Sequence, residues 1–139
     1  MVVEAVLSWS GGLLPAFVLT CAIEIPGYLL GWATLGWLGR QVVLRVPAAV
    51  LLVIVVNLAT HPLLWLTAAA LPWLIIPLEL LAVAIEGLIV ALVVRHRSAR
   101  FGAPAPWAGP VWAWPVALGV NALSVLAGSA LLSLIMDRL

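Results

Sequence analysis

Four apolar stretches, about Leu13 to Trp37, Pro47 to Leu66, Leu74 to Val94 and Val111 to Met136, take up most of the chain and set the terms on which it can fold. The hydrocarbon core of a bilayer is about 30 Å thick and a helix rises about 1.5 Å per residue, so roughly 20 apolar residues cross it. The runs are continuous and do not alternate, which selects helices over a β-barrel. With 66% of residues hydrophobic and only 8% charged, there is too little polar surface to clothe a soluble domain. The expected fold is all-α: a polytopic membrane protein with four transmembrane helices, forming one integral membrane domain over residues 1–139. The segment Met1 to Ser10 carries no basic residue and no small-residue cleavage site follows, so it is expected to be retained and not removed as a signal peptide.

The charges are few enough to read one by one. A formal net charge of +1 offers no basic field for a nucleic acid backbone, which leaves membrane lipid as the expected surrounding partner. Cys21 is the single cysteine, so no intrachain disulfide and no CxxC metal spacing exists. Arg40 and Arg45 bracket the first connection, Arg95, Arg97 and Arg100 lie in the third, and the second carries no charge. The positive-inside bias then places connections one and three in the cytoplasm and both termini outside, with Arg138 alone dissenting. In that frame Trp9, Trp65 and Trp73 fall at the outer interface, and Trp37, Trp107, Trp112 and Trp114 at the inner one. A bacterial inner membrane is the expected location of this lysine-free chain. The stretch from Arg95 to Pro110, rich in Pro, Gly and Arg, reads as a non-helical connection.

The two halves share polar landmarks. Ala22-Ile23-Glu24 returns as Ala84-Ile85-Glu86, 62 positions later, and Asn57-x-x-Thr60 returns as Asn121-x-x-Ser124, 64 positions later. This pattern predicts a duplicated helical hairpin, repeat 1 over about 11–70 and repeat 2 over about 71–139. Each repeat holds two spans, so the copies run parallel about an axis along the membrane normal.

Glu24 and Glu86 carry the functional argument. An ionisable side chain near the bilayer centre costs about 2.5 kcal/mol or more and faces the bundle interior or a water-filled cavity. Asn57, Thr60 and His61 share one helical face at i, i+3 and i+4, as do Asn121, Ser124 and Gly128. Turning all these stripes inward gathers two carboxyls, two carboxamides and two hydroxyls, a set suited to a proton, a cation or a small polar solute. Glu79 lies seven residues before Glu86 on the same face, about 10 Å nearer the outer surface, where a His61–Glu79 pair is expected as an outer gateway. Pro26 and Pro62 each remove a backbone hydrogen bond, which predicts freed carbonyls at Ala22 and Leu58 beside the polar groups. Gly27-x-x-x-Gly31 and Ser124-x-x-x-Gly128 offer small-residue faces for close packing or for a homodimer.

Enzyme chemistry finds little footing. No HExxH motif, nucleophile elbow or phosphate loop occurs, so no catalytic residue, no cofactor and no metal centre is expected. The expected function is translocation of a proton, cation or small polar solute through Glu24, Glu86, Asn57, Asn121, His61, Glu79, Thr60 and Ser124. The competing class is a non-catalytic membrane subunit or scaffold of a larger complex. Lesser alternatives are an intramembrane hydrolase with Glu79 or Glu86 as base, and a haem or chlorophyll protein ligated by His61.

Overall fold

A computed structural model describes residues 2–38, 44–101 and 109–136. It is all-helical: α1 spans Val2–Thr34, α2 Val46–Ala70, α3 Ile75–Phe101 and α4 Ala113–Met136, with 3-10 turns at Pro72–Leu74 and Pro110–Trp112. Each long helix is apolar enough and long enough to cross a membrane, over Leu14–Thr34, Val46–Thr67, Ile75–Arg100 and Pro110–Gly128. Large apolar side chains such as Leu14, Leu30, Leu51, Leu63, Leu80 and Leu126 point away from the bundle. Such an outer surface suits acyl chains and is intolerable in water.

The boundaries follow from local chemistry. The first helix stops at Thr34, short of the expected Trp37, because Gly36 adopts a left-handed φ of 70°. Two bonds close the end: Gly36 N–H donates to Ala33 O at 3.1 Å and Trp37 N–H to Trp32 O at 2.9 Å. That is the Schellman arrangement, which glycine permits without a Cβ clash. Gly36→Ala is therefore expected to lower stability by about 1 kcal/mol, read as an earlier midpoint of unfolding in detergent. At the other end of connection one, Pro47 enters α2 in its first turn, where a missing N–H costs nothing.

The third helix corrects the sequence reading in the opposite sense. It continues through Arg95, Arg97 and Arg100 to Phe101, so the first part of the expected loop is helical. Arginine is a good helix former, and cations at a helix C-terminus meet its partial negative charge. Pro26 and Pro62 break neither α1 nor α2, and both lie on exposed faces together with Ala22 and Leu58. The carbonyls they release therefore sit on the outward side of the helices, not beside the polar groups as expected.

The helices close into a ring in which α1 packs on α2, α2 on α3, α3 on α4 and α4 on α1. Glycines set the closest approaches. A Cβ on Gly31 would stand 2.8 Å from Val116 Cγ1, one on Gly27 3.1 Å from Val120 Cγ2, and one on Gly87 2.5 Å from Trp114 Cδ1. The Gly27/Gly31 face is thus used within the chain, against α4, and is not free for a second copy. Gly128 has nothing within 4 Å of its added Cβ.

The half of the bundle toward connections one and three is filled by an apolar core that includes Tyr28, Trp32, Trp37, Leu44, Val53 and Val94. Trp37 is 0% exposed, so it does not join the expected inner aromatic belt. The Gly36 turn folds it back under the bundle, where its carbonyl accepts from Leu44 N–H at 2.9 Å. Trp65, Trp73, Trp112 and Trp114 do present themselves outward. The expectations for Arg40, Trp107, Arg138 and the Trp9 side chain lie outside the described residues.

Candidate functional site

Above the apolar core the interior turns polar. Glu24, Asn57 and Glu86 are 0% exposed, and Thr60, His61 and Asn121 are also buried. Each helix contributes: Glu24 from α1, Asn57, Thr60 and His61 from α2, Glu86 from α3 and Asn121 from α4. Glu79 and Ser124, the other two expected members, are half-buried.

Glu86 is the best-held group. Its Oε2 accepts from Tyr28 OH at 2.7 Å and from Asn121 Nδ2 at 2.6 Å, and its Oε1 accepts from Thr60 Oγ1 at 2.9 Å. Three helices thus converge on one carboxyl of the fourth. A carboxylate only accepts, and these donors fill three of its roughly four lone-pair directions. The Thr60 hydroxyl has a second acceptor within reach, Val56 O at 3.0 Å. The two asparagines behave alike, each donating Nδ2 to the carbonyl four residues back, Asn57 to Val53 and Asn121 to Ala117, both at 3.0 Å.

Glu24 is placed in the opposite condition. Both of its carboxylate oxygens are buried with no hydrogen-bond partner among the described residues, and so are both imidazole nitrogens of His61 and the carboxamide oxygens of Asn57 and Asn121. His61 Nε2 stands 3.5 Å from Glu24 Oε1 and 3.8 Å from Glu86 Oε1. One donor atom from each of Glu24, His61 and Glu86 falls within 4.8 Å of the other two.

This geometry revises the expected pairing. His61 stands nearest to Glu24 and Glu86, while Glu79, whose Oε2 is buried with no hydrogen-bond partner among the described residues, reaches the imidazole only as a longer-range charge. The reason is packing: His61 and Glu86 both face the bundle axis, whereas Glu79 sits two turns away on α3, about 10 Å along the helix. Tyr28 is the member that sequence reasoning missed. It lies four residues after Glu24 on the same face of α1, and this i, i+4 relation was the available signal.

The chemistry on offer is that of a sealed, multi-helix acceptor cluster. It can hold a positive charge within hydrocarbon, where an unpaired carboxylate would be strongly penalised. Comparison with known proteins adds no relative: no family model matches the sequence, and no curated protein or solved structure matches it.

Proposed function

We propose that the chain is a small multi-pass membrane protein that moves a proton, another cation or a small polar solute across a cell membrane through its interior cluster. One observation carries this reading: Glu24, His61 and Glu86, from three helices, meet within 4.8 Å at full or nearly full burial. A cluster this closed is an occluded centre, so cargo enters or leaves only when helices part. The residues bet on are Glu24 and Glu86 as the charge-bearing groups, His61 between them, and Asn57, Thr60 and Asn121 as polar company. Glu79 and Ser124 are the half-buried members, Glu79 on the side of the connection between α2 and α3.

The finer architecture belongs to the same proposal. The matched Glu and Asn-x-x-hydroxyl positions, together with the identical back-bonding of Asn57 and Asn121, support two parallel repeats of one hairpin. The arginine distribution supports cytoplasmic connections one and three, with both termini outside, in a bacterial inner membrane. A homodimer is the partner arrangement to test first, since four spans enclose little volume and the Gly128 face is open.

A second reading has its own support. The three donors clamped on Glu86 are what a purely structural interhelical knot would need, and the protein would then be a non-catalytic subunit or scaffold. Flux separates the two. In proteoliposomes, Glu24→Gln and Glu86→Gln are expected to bring proton or cation flux down to that of empty vesicles. Glutamine at 86 keeps the fold: its carbonyl still accepts from Tyr28 and Asn121, and its amide faces a Thr60 hydroxyl that donates to Val56. Unchanged flux in both variants refutes the transport reading, and stoichiometric copurification with another membrane protein then favours the scaffold.

A further inference from the structure

We propose that the interior cluster is a binding site for a first-row divalent transition metal ion, with Glu24, His61 and Glu86 as its protein ligands. This names the cargo class of the path proposed above and rests on that reading for its biological meaning, while the binding chemistry stands by itself.

The first support is geometric. Bonds of about 2.1 Å from a tetrahedral ion set neighbouring donor atoms about 3.4 Å apart. His61 Nε2 is 3.5 Å from Glu24 Oε1 and 3.8 Å from Glu86 Oε1, and the three donors all lie within 4.8 Å of one another. A small side-chain adjustment closes the remainder. The three ligands come from α1, α2 and α3, which explains why no contiguous metal motif stands in the sequence.

The second support is the pattern of orphaned atoms. Glu24 Oε2, His61 Nδ1 and Asn57 Oδ1 are buried without a hydrogen-bond partner among the described residues, and His61 Nε2 meets Glu24 Oε1 only as a long contact of 3.5 Å. Carboxylate and carboxamide oxygens only accept, and a neutral imidazole brings one N–H to this set, too few donors for the three oxygens of Glu24 and Asn57. Buried polar groups in native proteins are almost always paired, and unpaired ones ask for an ion or water. A cation among them answers several at once. Asn57 lies one turn before His61 on the same face of α2, and its Oδ1 is buried without a hydrogen-bond partner among the described residues, while a water can complete the coordination.

Charge and ligand type then narrow the ion. Two carboxylates and a neutral imidazole balance a dication, which leaves the ligand set itself with no net charge. A monovalent ion leaves one negative charge over. Imidazole nitrogen suits zinc, iron, nickel and copper and is a poor ligand for calcium or magnesium, which take oxygen donors. The surroundings of Glu86 fit as well, since ligating carboxylates are themselves held by hydrogen bonds, here from Tyr28, Thr60 and Asn121.

The test uses the full chain, free of any affinity tag, in detergent after chelator treatment. Titration with Zn²⁺ by calorimetry is expected to show one site per chain, and Co²⁺ to give visible absorption bands that Zn²⁺ abolishes. Mg²⁺ and Ca²⁺ are expected to give no heat. Losing a partner of a ligand costs 10–100-fold in affinity, so removing a ligand should cost more than about 100-fold. Glu24→Gln and His61→Gln are expected to do so with helical content and elution volume unchanged. His96→Ala, an exposed histidine at the far end of α3, and Cys21→Ser are expected to leave binding as it was. Absent stoichiometric binding, or binding that survives Glu24→Gln and His61→Gln, overturns the inference. The two proposals fail separately: Glu24-dependent proton flux without metal binding removes the metal and keeps the transporter. Metal binding without any flux keeps the site and removes the transporter.

Discussion

Gly31→Leu is expected to pull α1 away from α4 and leave no folded bundle in detergent. The obstacle begins at Cβ, which would lie 2.8 Å from Val116 Cγ1 and 3.3 Å from Val116 Cγ2. Valine in a helix is held in essentially one χ1 rotamer, so Val116 cannot swing clear and the two backbones must separate. A single methyl forced into such a contact costs about 1–3 kcal/mol, which sets the expectation for Gly31→Ala, and the leucine branch adds to it. Gly87 is a second tight position, since its added Cβ would stand 2.5 Å from Trp114 Cδ1 and 2.8 Å from Trp114 Cγ at the root of the indole, so Gly87→Ala is expected to be destabilising as well. Gly119 has nothing within 4 Å, so Gly119→Ala is expected to raise stability by about 1 kcal/mol through helix propensity alone. Unfolding midpoints in a denaturing detergent series rank the variants. Adding Val116→Ala to Gly31→Ala should recover most of the loss, the coupling expected of residues in contact. If Gly31→Ala and Gly119→Ala prove equal, the seam between α1 and α4 is not where the structure puts it.

That seam also shows which parts of the molecule were legible beforehand. The four spans could be read because bilayer thickness fixes their length and hydrocarbon makes charge within them costly and rare, and their start points fall within a few residues of the observed helices for α2, α3 and α4. Their ends were harder. The stop at Thr34 depends on one left-handed glycine, and the run of α3 to Phe101 depends on arginines that favour a helix as readily as a loop. Convergence of Glu24, Asn57, Thr60, His61, Glu86 and Asn121 was foreseeable from helical periodicity, since a polar residue in a lipid-facing position is penalised far more than a polar residue turned inward. Which of them touch was not. The choice of His61 for Glu24 and Glu86 over Glu79 is decided by how the helices are offset along the bundle axis, and periodicity along one helix carries no information on that offset. Tyr28 escaped notice for a related reason: an aromatic residue in an apolar run reads as packing until its hydroxyl is seen 2.7 Å from a carboxyl.

Tyr28 is where packing and polar chemistry meet, and two substitutions there separate them. The side chain is 1% exposed, its ring lies 5.1 Å from that of Trp32, and its hydroxyl donates to Glu86 Oε2. Interhelical hydrogen bonds in membranes average about 0.6 kcal/mol and reach about 1.7, whereas bonds to a charged acceptor in protein interiors are worth about 1.5–3 kcal/mol. The ranges meet near 1.5 kcal/mol, which is the expected cost of Tyr28→Phe. Tyr28→Ala removes the ring as well. Large aromatic-to-alanine changes cost about 3–5 kcal/mol in soluble cores, and in lipid the transfer part falls away while the cavity stays, so about 3 kcal/mol is expected. Function should follow the hydroxyl and not the ring. Tyr28 donates to Glu86, and under the proposed transport function it would position that carboxyl, so Tyr28→Phe is expected to weaken flux through the cluster about tenfold at nearly full helical content. Trp32→Phe serves as the contrast: it disturbs the same stack without removing a donor to Glu86, and flux per folded molecule should hold. Equal losses of flux in the two variants would mean that Tyr28 matters only as a piece of the apolar core, and that the hydrogen bond to Glu86 does not set the carboxyl in place.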